Sequence, residues 1–141
     1  MKSTPYAMAS QMWNGIKDFT PEEFGTVDMN GILIYTLQKM RTYINRRIFV
    51  HCGFEFRDTG GYHPLKMAAD IHIEDLHVVD QYLIAEKFDA FNGIGVYPFW
   101  GSPGLHLDTR PNPKTNIDSR WGCLEQGKYV KLDHEFFKRI L

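Results

Sequence analysis

The chain has 141 residues, enough for one domain with its own core, and 43% of them are hydrophobic. Sixteen basic against seventeen acidic residues leave a net charge of −1, which argues against a polyanion-binding protein and its clustered basic surplus. No apolar run approaches the length of a bilayer span, and "MKSTPYAMASQMWNG" has no apolar segment after its lysine, so neither a membrane span nor a secretory signal is expected. Residues 1–17 carry no defined pattern, and one domain over 1–141 is the expected organisation.

In "DFTPEEF", Thr20 caps a short helix, Pro21 suits its first position and Glu23 closes a capping box. "DMNGILIYTLQKMRTYINRR" places Met29, Ile32, Leu33, Leu37, Met40 and Ile44 at helical spacing, with Lys39, Arg41, Arg46 and Arg47 on or beyond the other side. "RIFVHCGFEF" reads as a buried strand ended by "RDTGG". "AADIHI" is a second strand, with Ala69, Ile71 and Ile73 on one face and Asp70 and His72 on the other. "EDLHVVDQYLIAEKFDAF" is a helix with Leu76, Val79, Leu83 and Ala90 inward. "GIGVYPF" and "GLHLDTR" form a hairpin, in which Leu105 and Leu107 oppose His106 and Asp108. "RPNPKTNIDSRWG" reads as irregular, "KYVKL" as a last strand and "DHEFFKRIL" as a terminal helix capped by Asp133. This order predicts an α+β fold with a small, mostly antiparallel sheet flanked by helices. Cys52 and Cys123 form no CxxC pair and read as buried thiols of a reducing compartment, or as one disulfide.

His63, Asp70 and His106 stand out, with His72 and Asp108 beside them. Catalytic zinc takes three protein ligands from histidine and carboxylate and keeps a fourth position for water, so two histidines and an aspartate suffice. Spacing alone is weak: taken singly, a histidine is more often a hydrogen-bonded surface or core residue than a ligand, and a lone strand aspartate such as Asp70 is usually solvated. The "HLD" triplet also fits the start of an iron facial triad. That reading lacks strands for a double-stranded β-helix, and the only later histidine is His134.

"HPLKMAADI" at 63–71 resembles the S-x-H-x-x-G-x-A-x-D motif of the M15 zinc peptidases, and "GIGVYP…LHLD" at 93–108 resembles the segment that brings their third ligand. "DFTPEEF", the helix ending in "KMR" and "IFVHCGF" follow the order of that family, so the resemblance runs from about residue 18 to 121. It implies zinc on His63, Asp70 and His106, the fold shared by DD-peptidases and the hedgehog signalling domain, and hydrolysis of peptide bonds in peptidoglycan stems. The chain departs from the pattern at Gly61 for the serine, Lys66 for the glycine, and Phe54-Glu55 for a Tyr-Arg pair. Pro103 stands where several branches carry a glutamate, so the base is unassigned between Asp108 and Glu55. Asp108 reads also as a residue that orients the site, and Glu55 as a solvated strand-end carboxylate.

Arg57 either clamps a substrate carboxylate or pairs with Asp58, and His72 either lines the cleft or faces solvent. Tyr62, Tyr97, Phe99 and Trp100 read as a substrate wall or as packing, Trp121 as a core anchor first, and His51 as a neighbour of the site or a buried strand residue. The partner expected is a peptidoglycan peptide met by a monomer, with no nucleic acid. Without a signal sequence, access to the wall is expected through phage lysis or assembly into a virion. The competing class is a non-catalytic zinc module of the same fold that binds cell wall or a protein.

Overall fold

The computed structural model describes residues 4–58, 60–111 and 119–141. After a 3-10 turn at Ser10–Gly15 come α1 (Pro21–Phe24), α2 (Gly31–Ile44), β1 (Ile48–Cys52), β2 (Ala68–Ile73) and α3 (Val78–Ala85). Then follow β3 (Gly93–Tyr97), β4 (Gly104–Asp108), β5 (Ser119–Glu125), β6 (Lys128–Val130) and α4 (His134–Ile140). The strands make one sheet in the order β1-β2-β4-β3-β5-β6, antiparallel throughout except for the parallel β3/β5 pair. The fold is α+β.

Asp133 caps α4 as the sequence suggests, whereas at α1 the Thr20 hydroxyl makes no capping bond and turns to Glu23 instead. Glu23 accepts from the Thr20 backbone N–H at 2.7 Å and Asp133 accepts from Phe136 N–H at 3.0 Å. Asn30 caps α2 by accepting from Leu33 N–H, while its amide donates to the Pro5 carbonyl and the Thr109 hydroxyl donates to its oxygen. One buried amide thus ties the N-terminal segment, the start of α2 and the end of β4 together. Leu33, Ile34, Leu37 and Met40 of α2 pack with Ala69, Ile71, Ile94, Val96, Leu105 and Leu107 of the sheet, all with no exposed surface. Each large aliphatic side chain so buried is worth about 1.5–3 kcal/mol. The helices cover this face and leave the opposite face of β2 and β4 to the polar residues.

Several expectations are corrected. Ile32 is 43% exposed and Ile34 takes its inward place, because the buried arc of α2 is centred on Leu33 and Leu37. Leu83 is 56% exposed; α3 is shorter than its sequence pattern and turns Val78, Gln81 and Ala85 inward. β1 is a half-buried edge strand of five residues rather than a long buried one. The segment read as irregular becomes β5 from Ser119 onward, while its 112–118 part lies outside the described residues. Met8, Trp13 and Ile16, in the N-terminal stretch without a pattern, join the core. Cys52 and Cys123 are both free thiols, and only Cys123 is buried. No helix among the described residues is long and apolar enough to cross a membrane.

Candidate metal centre

His63 sits in a single turn closed like the end of a helix. The Met67 N–H donates to the Tyr62 carbonyl and the Lys66 N–H to the His63 carbonyl, both at 3.1 Å, which is the paired pattern of a Schellman turn. Lys66 occupies its left-handed position with φ 62°, where glycine is the easy choice. The strain is offset by an ion pair of Lys66 Nζ with Asp28 at 2.7 Å and by the Phe54 ring below the ammonium. A lysine therefore replaces the glycine of the resembled motif without unmaking the turn.

Strand register supplies the rest. Cys52 pairs with Asp70, Asp70 with His106, His106 with Gly95 and Gly95 with Trp121, so one row crosses β1, β2, β4, β3 and β5 on the face away from the helices. Between Val50 and Cys52 the β1 register shifts by one residue against β2. Such a bulge turns successive side chains to the same side. It brings His51 onto His72, with Nε2 and Nδ1 2.5 Å apart, and Cys52 to within 3.5 Å of His63 Nδ1.

Both histidines point inward at one atom. His63 Nε2 lies 3.2 Å and His106 Nδ1 3.1 Å from Asp70 Oδ1. Their outer nitrogens are occupied: His63 Nδ1–H donates to the Gly53 carbonyl at 2.7 Å, and His106 Nε2–H donates to Asp108 Oδ2 at 2.7 Å. This outer bonding turns the inner nitrogen of each ring toward Asp70, where it would accept a metal once its proton is displaced. Cys52, His63 and Asp70 each offer a donor atom, all within 4.8 Å of one another, and together could hold a metal ion.

Burial alone lowers the His63 pKa, but hydrogen bonds with Asp70 and Cys52 outweigh it and raise it to about 9. Burial raises the Asp70 carboxyl, and the two histidines overcome this and hold it well below the usual range. His106 is shifted up, because Asp108 and Asp70 outweigh its burial. In the metal-free protein the His63 pair therefore stabilises the fold fully below its ordinary pKa of 6.5, and that stability is lost as pH rises through about 9. Asp70's share is present above its ordinary 3.8 and is lost on acidification. Metal binding runs the other way, since it must displace the His63 proton. Divalent-metal affinity, measured by competition titration, should climb at least about tenfold per pH unit up to about 9, one factor of ten for each proton displaced, and a flat profile would contradict this proton assignment.

Asp108 is a positioning residue in this geometry. Its oxygens accept from His106 Nε2, from the Arg110 backbone N–H and from two guanidinium nitrogens of Arg110, at 2.7–3.1 Å, and the carboxylate has no exposed surface. Four acceptor sites carry four donors, so none faces a water. Burial raises this carboxyl too, and Arg110 and His106 bring it well below the usual range. Arg110, which sequence reading passed over, also lies over the rings of Tyr62 and Trp121 at 4.6 and 5.2 Å. Trp121 is no core anchor: it is half-buried, 5.2 Å from the His106 ring, and its indole N–H donates to the Tyr97 hydroxyl at 2.9 Å. Gly93 and Gly95 make this possible, because a Cβ at either would lie 2.3 Å from the Asp108 carboxylate or 2.5 Å from the Trp121 ring.

Two clefts flank the histidines. One, of about 400 Å³, is walled by Tyr62, Tyr97, Trp121 and Tyr129 with Arg57 at its edge. The other, about 440 Å³, lies against Asp70 between His51 and Trp100. A larger cavity of about 580 Å³, beside Thr36, Tyr43 and Phe88, brings no histidine or cysteine. Glu55 is exposed, accepts from the Cys52 thiol at 3.1 Å and pairs with Arg57 at 3.3 Å, so Arg57 is not held by Asp58. Arg57, and then Cys52, lower the Glu55 pKa. His72 stacks between Phe49 and His51 and does not reach the Asp70 oxygen shared by His63 and His106. Phe99 is partly exposed, 6.3 Å from the Tyr97 ring.

Neither family models, curated proteins nor solved structures provide a match for this chain. Its function is therefore read from its own geometry.

Proposed function

We propose that the protein is a zinc-dependent peptidase acting on the stem peptides of peptidoglycan. The observation that carries the reading is the convergence of His63 Nε2 and His106 Nδ1 on Asp70 Oδ1, at 3.2 and 3.1 Å, with both outer nitrogens bonded away. The two separations from Asp70 match one edge length of a tetrahedron around zinc, about 3.3 Å for metal–ligand bonds of 2.0–2.1 Å, while the donors already within 4.8 Å of one another are Cys52, His63 and Asp70, so His106 would have to close on the ion. His63, Asp70 and His106 would hold the ion, and the resemblance of "HPLKMAADI" and "GIGVYP…LHLD" to the M15 peptidases supports the same three. When bound, zinc supplies Lewis acidity and a water of lowered pKa.

The chain's own residues do the rest. Asp108, clamped by Arg110, keeps His106 facing inward. Tyr62, Tyr97 and Trp121 wall one side of the histidines and give an extended peptide an aromatic surface to lie on. With Asp108 saturated and Pro103 unable to act, Glu55 is the carboxylate assigned to move the proton: it is ionised, exposed and joined to the site through Cys52. Purified wall digested by the zinc-loaded protein should release peptide fragments, seen by mass analysis and abolished by EDTA. Glu55→Gln should cut the rate by about 10²–10⁴-fold while leaving zinc content unchanged. Full activity in that variant would remove Glu55 from the role.

The second reading is a zinc-containing module that binds wall or protein without cutting it. Pro103 and the fully bonded Asp108 favour it, because together they leave the polar row across the sheet without a free carboxylate beyond Asp70. Absence of EDTA-sensitive cleavage from every sacculus type would decide for it.

A further inference from the structure

We propose that Cys52 is a fourth donor to the same metal in the resting protein, one thiolate beside two imidazoles and one carboxylate, and that it must leave the ion before a water takes the open position the peptidase reading needs. This rests on the metal reading above and goes beyond it in naming what fills the remaining position. Register carries the inference: Cys52 is the cross-strand partner of Asp70, which is in turn the partner of His106, so three donors stand in one row with His63 arching over from its turn. A regular β1 would not deliver the thiol there. The bulge after Val50 turns Cys52 to the polar face and leaves it half-buried at the sheet edge, with donor-atom separations to His63 and Asp70 within 4.8 Å.

The thiol's present partner is replaceable. Cys52 donates to exposed Glu55 at 3.1 Å and lies 3.5 Å from a His63 nitrogen that is already committed to Gly53. On binding, the thiol loses its proton to solvent, the S–H bond is exchanged for a sulfur–metal bond, and Glu55 is released. Cys123 marks the contrast: it is buried, donates to the Glu125 carbonyl and belongs to no donor cluster among the described residues. A thiolate in the set selects zinc, cobalt(II) or cadmium over magnesium, calcium and manganese, whose preferred donors are oxygens.

X-ray absorption of the zinc-loaded wild-type protein tests this without reference to activity. A sulfur shell at about 2.3 Å is expected, and it should vanish in Cys52→Ser and persist in Cys123→Ser. With cobalt(II), the wild type should show a thiolate-to-metal charge-transfer band in the near ultraviolet that Cys52→Ser loses. Zinc bound through nitrogen and oxygen alone in the wild type overturns the thiolate and leaves the three-ligand reading standing. A wild type that takes up no zinc overturns both. The wild-type spectrum decides even if a variant fails to fold.

Discussion

Asp70→Asn should lower zinc affinity by more than 100-fold while the protein stays folded. Asp70 Oδ1 is the atom on which His63 and His106 converge, and replacing it with a neutral amide oxygen removes a charge without changing the side chain's size. Loss of a partner that merely orients a ligand costs about 10–100-fold in affinity, so loss of an inner donor must exceed it. The metal-free variant changes as well. With no carboxylate to hold its proton, the His63 pKa falls from about 9, because burial is then opposed only by the hydrogen bonds with Cys52 and Gly53. Stability drops by about 1–3 kcal/mol, the cost of leaving buried polar groups poorly partnered, and its dependence on pH between 6.5 and 9 flattens. Chemical denaturation with and without zinc gives both quantities. Zinc at a hundredfold excess over its dissociation constant adds about 2.7 kcal/mol to the wild type and should add little to the variant. Equal zinc affinity in the two proteins would mean that the convergence on Asp70 is only a buried ion network.

How much of this was legible in the sequence follows from the kind of signal each element carries. Alternation in "AADIHI" and "GLHLD" placed Asp70, His106 and Asp108 on the polar face, since period-two patterning survives without knowledge of neighbours. Helices α1 and α4 were marked by local capping residues and α2 by its apolar spacing, while the Asn30 cap of α2 went unread. What escaped depends on pairing. The bulge that aims Cys52 at the site exists only relative to β2, and "IFVHC" by itself reads as an unbroken strand. β5 pairs in parallel with β3 across a long connection, so nothing local announces it, and Trp121 therefore passed for core packing. Arg110 was hidden in the same way: two residues past Asp108, the last of β4, it matters because the strand ends there and lets the guanidinium fold back on Asp108. "GIG" did carry a signal in advance, namely glycines at alternate positions of a strand, which mark a close approach, here by side chains of the neighbouring strands.

Gly93→Ala should be among the most damaging small substitutions in the chain. The added methyl would stand 2.3 Å from both oxygens of Asp108, far inside van der Waals contact, so the carboxylate has to move. It has nowhere to go without loss, because four hydrogen bonds hold it to His106 and Arg110 and it has no exposed surface. Turning it leaves a buried arginine and a buried imidazole short of their partner, which costs about 3–5 kcal/mol when one side of a buried ion pair is withdrawn. Zinc affinity should fall about 10–100-fold at the same time, since His106 loses the group that fixes its ring. Gly101→Ala, where a Cβ meets nothing within 4 Å, is the control and should stay within about 0.5 kcal/mol of the wild type. The cause can be isolated with a double-mutant cycle. In an Asp108→Ala background the methyl at 93 no longer meets a carboxylate, so Gly93→Ala should cost there at least about 1 kcal/mol less than in the wild type. Equal costs in the two backgrounds would locate the damage in the β3 backbone instead of the contact with Asp108.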